Sequence, residues 1–241
     1  MKTKKKPVNK AAQKKAEREQ QEKRMKRVIW ITGACIVVLV VLLLVIKPNS
    51  AKGDFDYSAL PVLGNPDAPV KIVEMGDYKC PSCQYFTQAV SPELQKDYID
   101  TGKAALYFMN YLIISPDADS MTAALAAQSV FHQNKDEFWK YYDAIYKNQG
   151  DETTEWATPD FLVNLARTEN IKVDYDKLRK DIDDKTYKKE VESHNETARS
   201  LHVMSTPTLF VNGEKASEKA SMDYTELKPF IESKLAEQNT K

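Results

Sequence analysis

Cys80 and Cys83 stand as Cys80-Pro81-Ser82-Cys83 directly after a β-prone run, while the third cysteine, Cys35, lies far off in an apolar stretch. Two thiols at this spacing can close into a disulfide and reopen, which is the chemistry of thiol–disulfide exchange. Only deprotonated sulfur attacks a disulfide, so one thiol of the pair needs a thiolate stabilised near neutral pH. Cys80 is placed for that role. Pro81 suits the first helical position, where a missing N–H has no partner to lose, and this puts Cys80 at the helix cap. Its sulfur then faces the free N–H groups of the first turn and the positive end of the helix dipole. Such settings favour the thiolate by roughly 1.4–7 kcal/mol. Cys83, one turn deeper, is placed to close the ring and to resolve a mixed disulfide formed at Cys80.

Two other uses of the pair fit less well. As a structural staple, so short a loop constrains the unfolded chain by only about 2 kcal/mol, against roughly 4–5 kcal/mol for a 100-residue loop. Zinc would need more ligands, and His132, His194 and His202 show no ligand spacing and meet no second cysteine pair, so no metal is expected. The sequence has no Gly-rich phosphate loop, metalloprotease motif or nucleophile elbow, and no cofactor beyond the cysteine pair is expected.

The elements that must position this pair read as follows. Val70, Ile72, Val73 and Met75 make a short strand, apolar on both faces, that leads through Gly76-Asp77-Tyr78-Lys79 to the cysteines. Asp77 and Tyr78 read as loop residues near the rim. From Pro81 to about Tyr98, Phe86, Val90, Leu94 and Tyr98 recur at helical spacing, with Pro92 expected to kink the helix. Ala104 to Ile114 reads as a second buried strand. Ala118 to Leu201 changes period to threes and fours and forms a helical block. Within it Thr158-Pro159-Asp160 and Asp174 open helices, and Lys172 to Lys189 alternates in charge like a solvated face. The aromatic group of Trp139, Tyr141, Tyr142 and Tyr146 suits a helix-packing stripe at least as well as a hydrophobic peptide site. Thr208 to Val211 is a strand, Asn212-Gly213 a hairpin turn, and Asp223 to about Glu237 a final helix, with Pro229 expected to delay or kink it.

The N-terminal quarter is of another kind. Met1 to Arg27 holds 12 of the 35 Lys and Arg but only three of the 35 Asp and Glu, whereas beyond Lys47 there are 22 basic against 32 acidic residues. The zero net charge therefore hides a basic tail and an acidic domain, and the domain offers no nucleic-acid surface. Val28 to Ile46 carries no charge, and its 19 residues would reach about 28 Å as a helix, near the roughly 30 Å of bilayer hydrocarbon. The basic flank keeps the N-terminus cytosolic by the positive-inside rule. A cleaved signal peptide is the alternative, but the run is longer than such segments usually are and Asn49-Ser50-Ala51 is a poor cleavage site. Cys35, inside the run, reads as a small apolar residue. The expected organisation is a basic cytosolic tail at 1–27, a transmembrane signal anchor at 28–46 in contact with the lipid bilayer, and a linker at 47–68. The sheet domain then opens at 69–117, takes a helical insertion at 118–201, and closes at 202–241.

A strand, a CxxC helix, a strand, a helical block, then strand, turn and helix describe an α/β sheet domain with a helical insertion. At Cys80-Pro81-Ser82-Cys83 and Thr206-Pro207 the chain resembles the DsbA family of thioredoxin-fold oxidoreductases, and its anchored form looks like the BdbD type of Gram-positive bacteria. The resemblance covers about Pro61 to Leu235. It implies a thioredoxin-like fold, a redox-active Cys80–Cys83 disulfide, and a cis-proline loop at Pro207. That loop would expose the Thr206 backbone to an extended substrate segment. The other reading of Pro207 is an ordinary turn proline. The resemblance also places Glu74 where this fold keeps an acid beneath the disulfide, able to relay a proton to Cys83 if buried; the alternative is a solvent-facing carboxylate at a strand end. The implied function is an extracytoplasmic oxidase that introduces disulfides into reduced exported proteins and is reoxidised by a quinone-linked membrane protein of the DsbB or BdbC type. Pro81-Ser82 lacks the histidine of the most oxidising relatives, which keeps a reductase or isomerase in view. The alternative from another class is a redox-silent membrane-tethered chaperone or binding module.

Overall fold

Alternation along one strand organises the domain. Val70 and Ile72 of β2 (Val70–Gly76) join Phe86, Val90 and Leu94 in one apolar layer, and Val73 and Met75 join Tyr107, Met109 and Phe210 in the layer on the opposite face. Glu74 falls in step with Val70 and Ile72 and so points to the same side as the helix that follows the cysteines. The computed structural model describes residues 23–33, 36 and 52–239.

The sheet has five strands in the order β1-β3-β2-β4-β5. β3 (Ala104–Asn110) runs parallel to β2 from Val70↔Ala104 to Gly76↔Asn110, and both strands are almost wholly buried, which accounts for their unbroken apolar runs. β4 (Thr208–Val211) pairs antiparallel with β2 and forms a hairpin with β5 (Glu214–Lys215) across Asn212-Gly213, both with positive φ. β1 (Val62–Leu63) pairs antiparallel with β3 at the edge.

The crossover between β2 and β3 is a continuous helix, α1, built of Pro81–Tyr85, a π-turn at Phe86–Val90, Ser91–Leu94 and a second π-turn at Gln95–Ile99. Pro92 has no N–H for the carbonyl of Gln88. The widened turn just before it, closed by the N–H of Ser91 on the carbonyl of Phe86, is the form its disturbance of the helix takes.

Between β3 and β4 lie five α-helices: α2 (Asp119–Gln133), α3 (Phe138–Lys147), α4 (Pro159–Thr168), α5 (Tyr175–Asp183) and α6 (Lys188–Ser200). Thr158 and Asp174 cap α4 and α5 through their side chains. The α5 surface carries i,i+4 pairs such as Arg179–Asp183 and Lys180–Asp184, the solvated face that the charge alternation predicts. After the sheet come α7 (Glu218–Met222) and α8 (Tyr224–Asn239), with Pro229 inside the latter.

Three expectations change. The part of the expected linker described from residue 52 belongs to the compact domain: Phe55 and Leu60 are buried, Phe55 meets Phe210 edge-on at 5.4 Å, and β1 lies within it. The second strand stops at Asn110 instead of Ile114: the Tyr111 N–H still reaches the carbonyl of Gly76, but beyond it side chains take the N–H groups out of the ladder. Asn195 accepts from Leu112 at 2.8 Å, and Asp77 accepts from Ile113 and Ile114 at 2.8 and 2.9 Å. Asp77 and Tyr78 are fully buried, not rim residues.

Residues 23–33 are helical. Among the described residues no helix is long and apolar enough to cross a membrane. The tail to residue 22, Cys35 and most of the anchor expected at 28–46 lie outside the described residues.

Candidate active site

The strand β2 delivers the chain to a turn that is held from every side. Cys80 N–H donates to the carbonyl of Asp77 at 2.9 Å, while the Asp77 carboxylate accepts from the N–H groups of Lys79, Ile113 and Ile114 and from the Ser120 hydroxyl. Four donors satisfy a carboxylate that burial would otherwise make costly. The next residue, Lys79, is 2% exposed and places its ammonium 2.7 Å from Asp119 Oδ1 and 2.8 Å from the carbonyl of Thr154. Burial pushes Asp119 up, but Lys79, the Ser115 hydroxyl and the N–H of Ala157 together outweigh it and hold the carboxyl below its ordinary range. Gln149 of the helical insertion bridges the carbonyls of Tyr78 and Cys80 at 2.8 and 3.1 Å.

Cys80 caps α1 in an extended conformation with Pro81 behind it, and both cysteines are free thiols. Cys80 Sγ donates to the carbonyl of Thr206 at 3.3 Å. Once deprotonated, the sulfur gives up that bond and becomes an acceptor. The Cys83 thiol stabilises it most; then, against partial desolvation, come Thr206 and the N–H groups of Cys83 and Ser82, so that Cys80 is lowered to about 6. At pH 7 that leaves about ten thiolates for each thiol. Cys83, by contrast, has no exposed surface, and burial, its bond to Cys80 and the nearby negative charges of Cys80 and Glu74 push it well above the ordinary thiol range. The two thiols are thus driven apart, one an anion and the other a protonated resolving thiol.

Glu74 is fully buried, which decides against the solvent-facing strand end. Loss of water raises its carboxyl to about 8, against the lowering effect of a 2.6 Å hydrogen bond that Tyr142 Oη donates to Oε2, with the Cys80 charge raising it further. Oε1 finds no hydrogen-bond partner among the described residues, and neither do the buried hydroxyls of Tyr78 and Tyr146. Gly76 makes the space for this group: a Cβ there would stand 3.0 Å from Glu74 Oε1, 3.2 Å from Tyr146 Oη and 2.8 Å from the Phe108 ring.

Thr206-Pro207 is a cis peptide and leads straight into β4. Oγ1 of Thr206 is buried and without a partner, in keeping with a donor held for the thiolate, and Thr208 braces the loop through a 2.7 Å bond to the carbonyl of Ser205. Met204, two residues before Thr206, is 82% exposed. The structure therefore gathers Cys80 and Thr206 in one contact and sets Glu74 within electrostatic reach of both cysteines.

Sequence reasoning missed Asp77, Lys79, Asp119, Gln149 and the hydrogen-bonding role of Tyr142. Tyr142 and Tyr146 are core residues, as their spacing suggests, but Tyr142 also holds the buried acid. The choice of Tyr where Phe would fill the same core is the signal that was there to find. Among the described residues no group of three or more His, Cys, Asp or Glu could hold a metal ion.

Comparison with known proteins agrees with this geometry. The sequence profile of the family described as Thioredoxin matches residues 58–233. A probable disulfide bond formation protein D of Bacillus cereus is 37% identical over 210 residues, covering 86% of this chain and 94% of that protein. Disulfide bond formation protein D of Bacillus subtilis is 35% identical, over 78% of this chain and 82% of its own. The crystal structure of oxidised BdbD from Bacillus subtilis superposes with a TM-score of 0.72 at 35% identity, covering 78% of this chain and 98% of that one. DsbA from Chlamydia trachomatis shares the fold, with a TM-score of 0.63 at 24% identity over 73% of this chain and 91% of the other.

Proposed function

The chain belongs to the DsbA family of thioredoxin-fold disulfide oxidoreductases, of the BdbD type, and on that premise we propose that it works as an oxidase, giving its Cys80–Cys83 disulfide to reduced proteins outside the cytoplasm. The observation that carries the direction is the split between the two thiols. A Cys80 thiolate stabilised at a helix start favours the reduced form, and a disulfide whose reduced form is stabilised is the better oxidant.

Transfer begins when a substrate thiolate attacks Cys80 Sγ. The Cys80–Cys83 bond breaks, a Cys80–substrate disulfide forms, and Cys83 leaves as a thiolate that takes a proton. A second substrate thiolate then attacks the substrate sulfur of that mixed disulfide, closes the substrate disulfide and expels Cys80, a good leaving group because its thiolate is stable. Buried Glu74, neutral below about pH 8, supplies the proton for Cys83. The Thr206 carbonyl beside Cys80 and the exposed Met204 suit an extended substrate segment bound mainly through its backbone.

The uncharged run at 28–46 and its basic flank support a single-pass anchor with the catalytic domain on the outer face. A quinone-linked membrane protein of DsbB or BdbC type would restore the disulfide in the same plane. Cys83→Ala, expressed in intact cells, tests the whole reading: it should accumulate exported cysteine-containing proteins in mixed disulfide with Cys80. No adducts, or adducts with cytosolic proteins only, would refute it. A potential below about −270 mV against glutathione would make the protein a reductase.

A further inference from the structure

Glu74 is sealed from water, yet each exchange cycle must move a proton between it and the solvent. A hydrogen-bonded path leads away from it. Tyr142 Oη, 2.6 Å from Glu74 Oε2, is also 3.0 Å from Thr87 Oγ1, and either hydroxyl can donate in that second bond. Tyr142 is buried, whereas Thr87 is half-buried. Both line an open cleft of about 570 Å³ between α1 and α3, together with Ser91, Trp139 and Asp143. Cys80, Cys83, Thr206 and Pro207 are not part of its lining.

Asp143 reaches the surface of that cleft, and its carboxyl is pushed up by partial loss of water, which suits a group that accepts and returns protons. Thr87 Oγ1 also donates to the carbonyl of Cys83 at 3.0 Å, which holds the hydroxyl in place to accept from Tyr142. Trp139 closes the cleft beside Tyr142, with ring centroids 4.9 Å apart, and its buried Nε1 has no partner among the described residues.

We propose that the Tyr142 and Thr87 hydroxyls form a proton relay joining Glu74 to the α1–α3 cleft, so that the acid is refilled and emptied from a side the substrate does not occupy. The inference rests on the exchange activity assigned above and names two positioning residues that act through Glu74. In the resolving direction the sequence balances as follows. Oxidised glutathione is attacked by the Cys80 thiolate, which forms Cys80–S–S–glutathione and releases one glutathione thiolate. Glu74, protonated on Oε2 so that Tyr142 accepts from it, passes its proton to Tyr142, Tyr142 passes its own to Thr87, and Thr87 turns its hydroxyl from the Cys83 carbonyl to pass one to cleft water. Glu74, now a carboxylate, takes the Cys83 proton. The Cys83 thiolate then attacks Cys80 Sγ, forms the internal disulfide and expels the second glutathione thiolate.

The test mixes the reduced full-length protein with excess oxidised glutathione, quenches in acid at intervals, and follows adduct and disulfide by mass. Thr87→Val should form the adduct at the wild-type rate, because Cys80 is untouched. It should lose the adduct at least about tenfold more slowly, the low side of what positioned proton transfer contributes, with a larger solvent isotope effect. Its equilibrium potential should not change. Thr87→Ser should restore the wild-type rate, and Thr87→Val with Tyr142→Phe should be no slower than the slower single variant, as for two links in series. Wild-type decay and isotope effect in Thr87→Val would overturn the relay while leaving the exchange activity standing. Failure of the wild type to form any adduct would instead remove that activity, and the relay with it.

Discussion

If Cys80 ionises near 6 in the dithiol, the potential of the Cys80–Cys83 couple must bend with pH. Below pH 6, reduction takes up two protons with two electrons and the potential should fall by about 59 mV per pH unit; above it, only Cys83 takes up a proton and the slope should halve to about 30 mV. At pH 7 the ionised Cys80 stabilises the reduced form by about 1.4 kcal/mol relative to a thiol of ordinary pKa, making the disulfide about 30 mV more oxidising. Glu74 adds a second feature. Because the Cys80 thiolate is one of the causes that raise it, reduction lifts Glu74 towards 8, and its extra proton uptake should steepen the profile again just below that pH. Glu74→Gln removes the second bend and leaves the first. The same shift sets the stability of the reduced protein. A depressed thiol pKa contributes stability that is fully present above the unfolded value of about 8.5, amounts to about 1.4 kcal/mol at pH 7, and is lost as pH falls through 6. The assay is equilibration in glutathione buffers from pH 5 to 9, with acid quench and alkylation of the dithiol. A single straight line of about 59 mV per pH unit from 5 to 8 would refute the assignment of Cys80 as the stabilised thiolate.

Glu74→Gln should raise folding stability while slowing proton transfer at Cys83. The folded pKa of about 8 lies above the unfolded carboxyl value, so the acid costs stability increasingly as pH rises from about 4.3 to 8, reaching roughly 3–4 kcal/mol at pH 7. Urea midpoints at pH 4 and 7 should therefore diverge between wild type and variant only at the higher pH. Lys79→Met leaves Asp119 buried without its cation and should lower stability by about 3–5 kcal/mol, with part recovered in the double variant Lys79→Met, Asp119→Leu; chemical denaturation of all three reads this out. In Gly76→Ala the new methyl meets the Phe108 ring and Glu74 Oε1, which predicts a loss of about 1–3 kcal/mol and a displaced Glu74. An unchanged midpoint, with unchanged kinetics of disulfide closure, would show that the space over Gly76 is not tight.

What the sequence made legible was whatever short-range chemistry dictates. Pro81 at the first helical position places Cys80 at the cap, and strand alternation puts Glu74 on the α1 side of β2. The caps at Thr158 and Asp174 and the Asn212-Gly213 turn follow from local backbone geometry in the same way. β1 escaped because two residues show no alternation to detect. The end of β3 escaped because Asp77 and Asn195, distant in sequence, decide which N–H groups leave the ladder. Lys79 and Asp119 are 40 residues apart, and nothing local to either marks a buried ion pair.

These long-range contacts also change what the helical insertion is for. Asp119 fixes Lys79, Gln149 clamps the carbonyls on either side of it, and Tyr142 holds Glu74, so each wall of the cysteine turn is completed by the insertion. A sheet and α1 alone would leave Lys79 unpaired and Glu74 without its only hydrogen-bond donor among the described residues. The split between an ionised Cys80 and a protonated Cys83 needs a dry space beneath the second sulfur, and Tyr78, Tyr142 and Tyr146 make that space by packing against one another at 4.9–6.0 Å. Their burial raises Cys83 and Glu74 together, which keeps the proton that the two exchange inside the fold until a path to water takes it away.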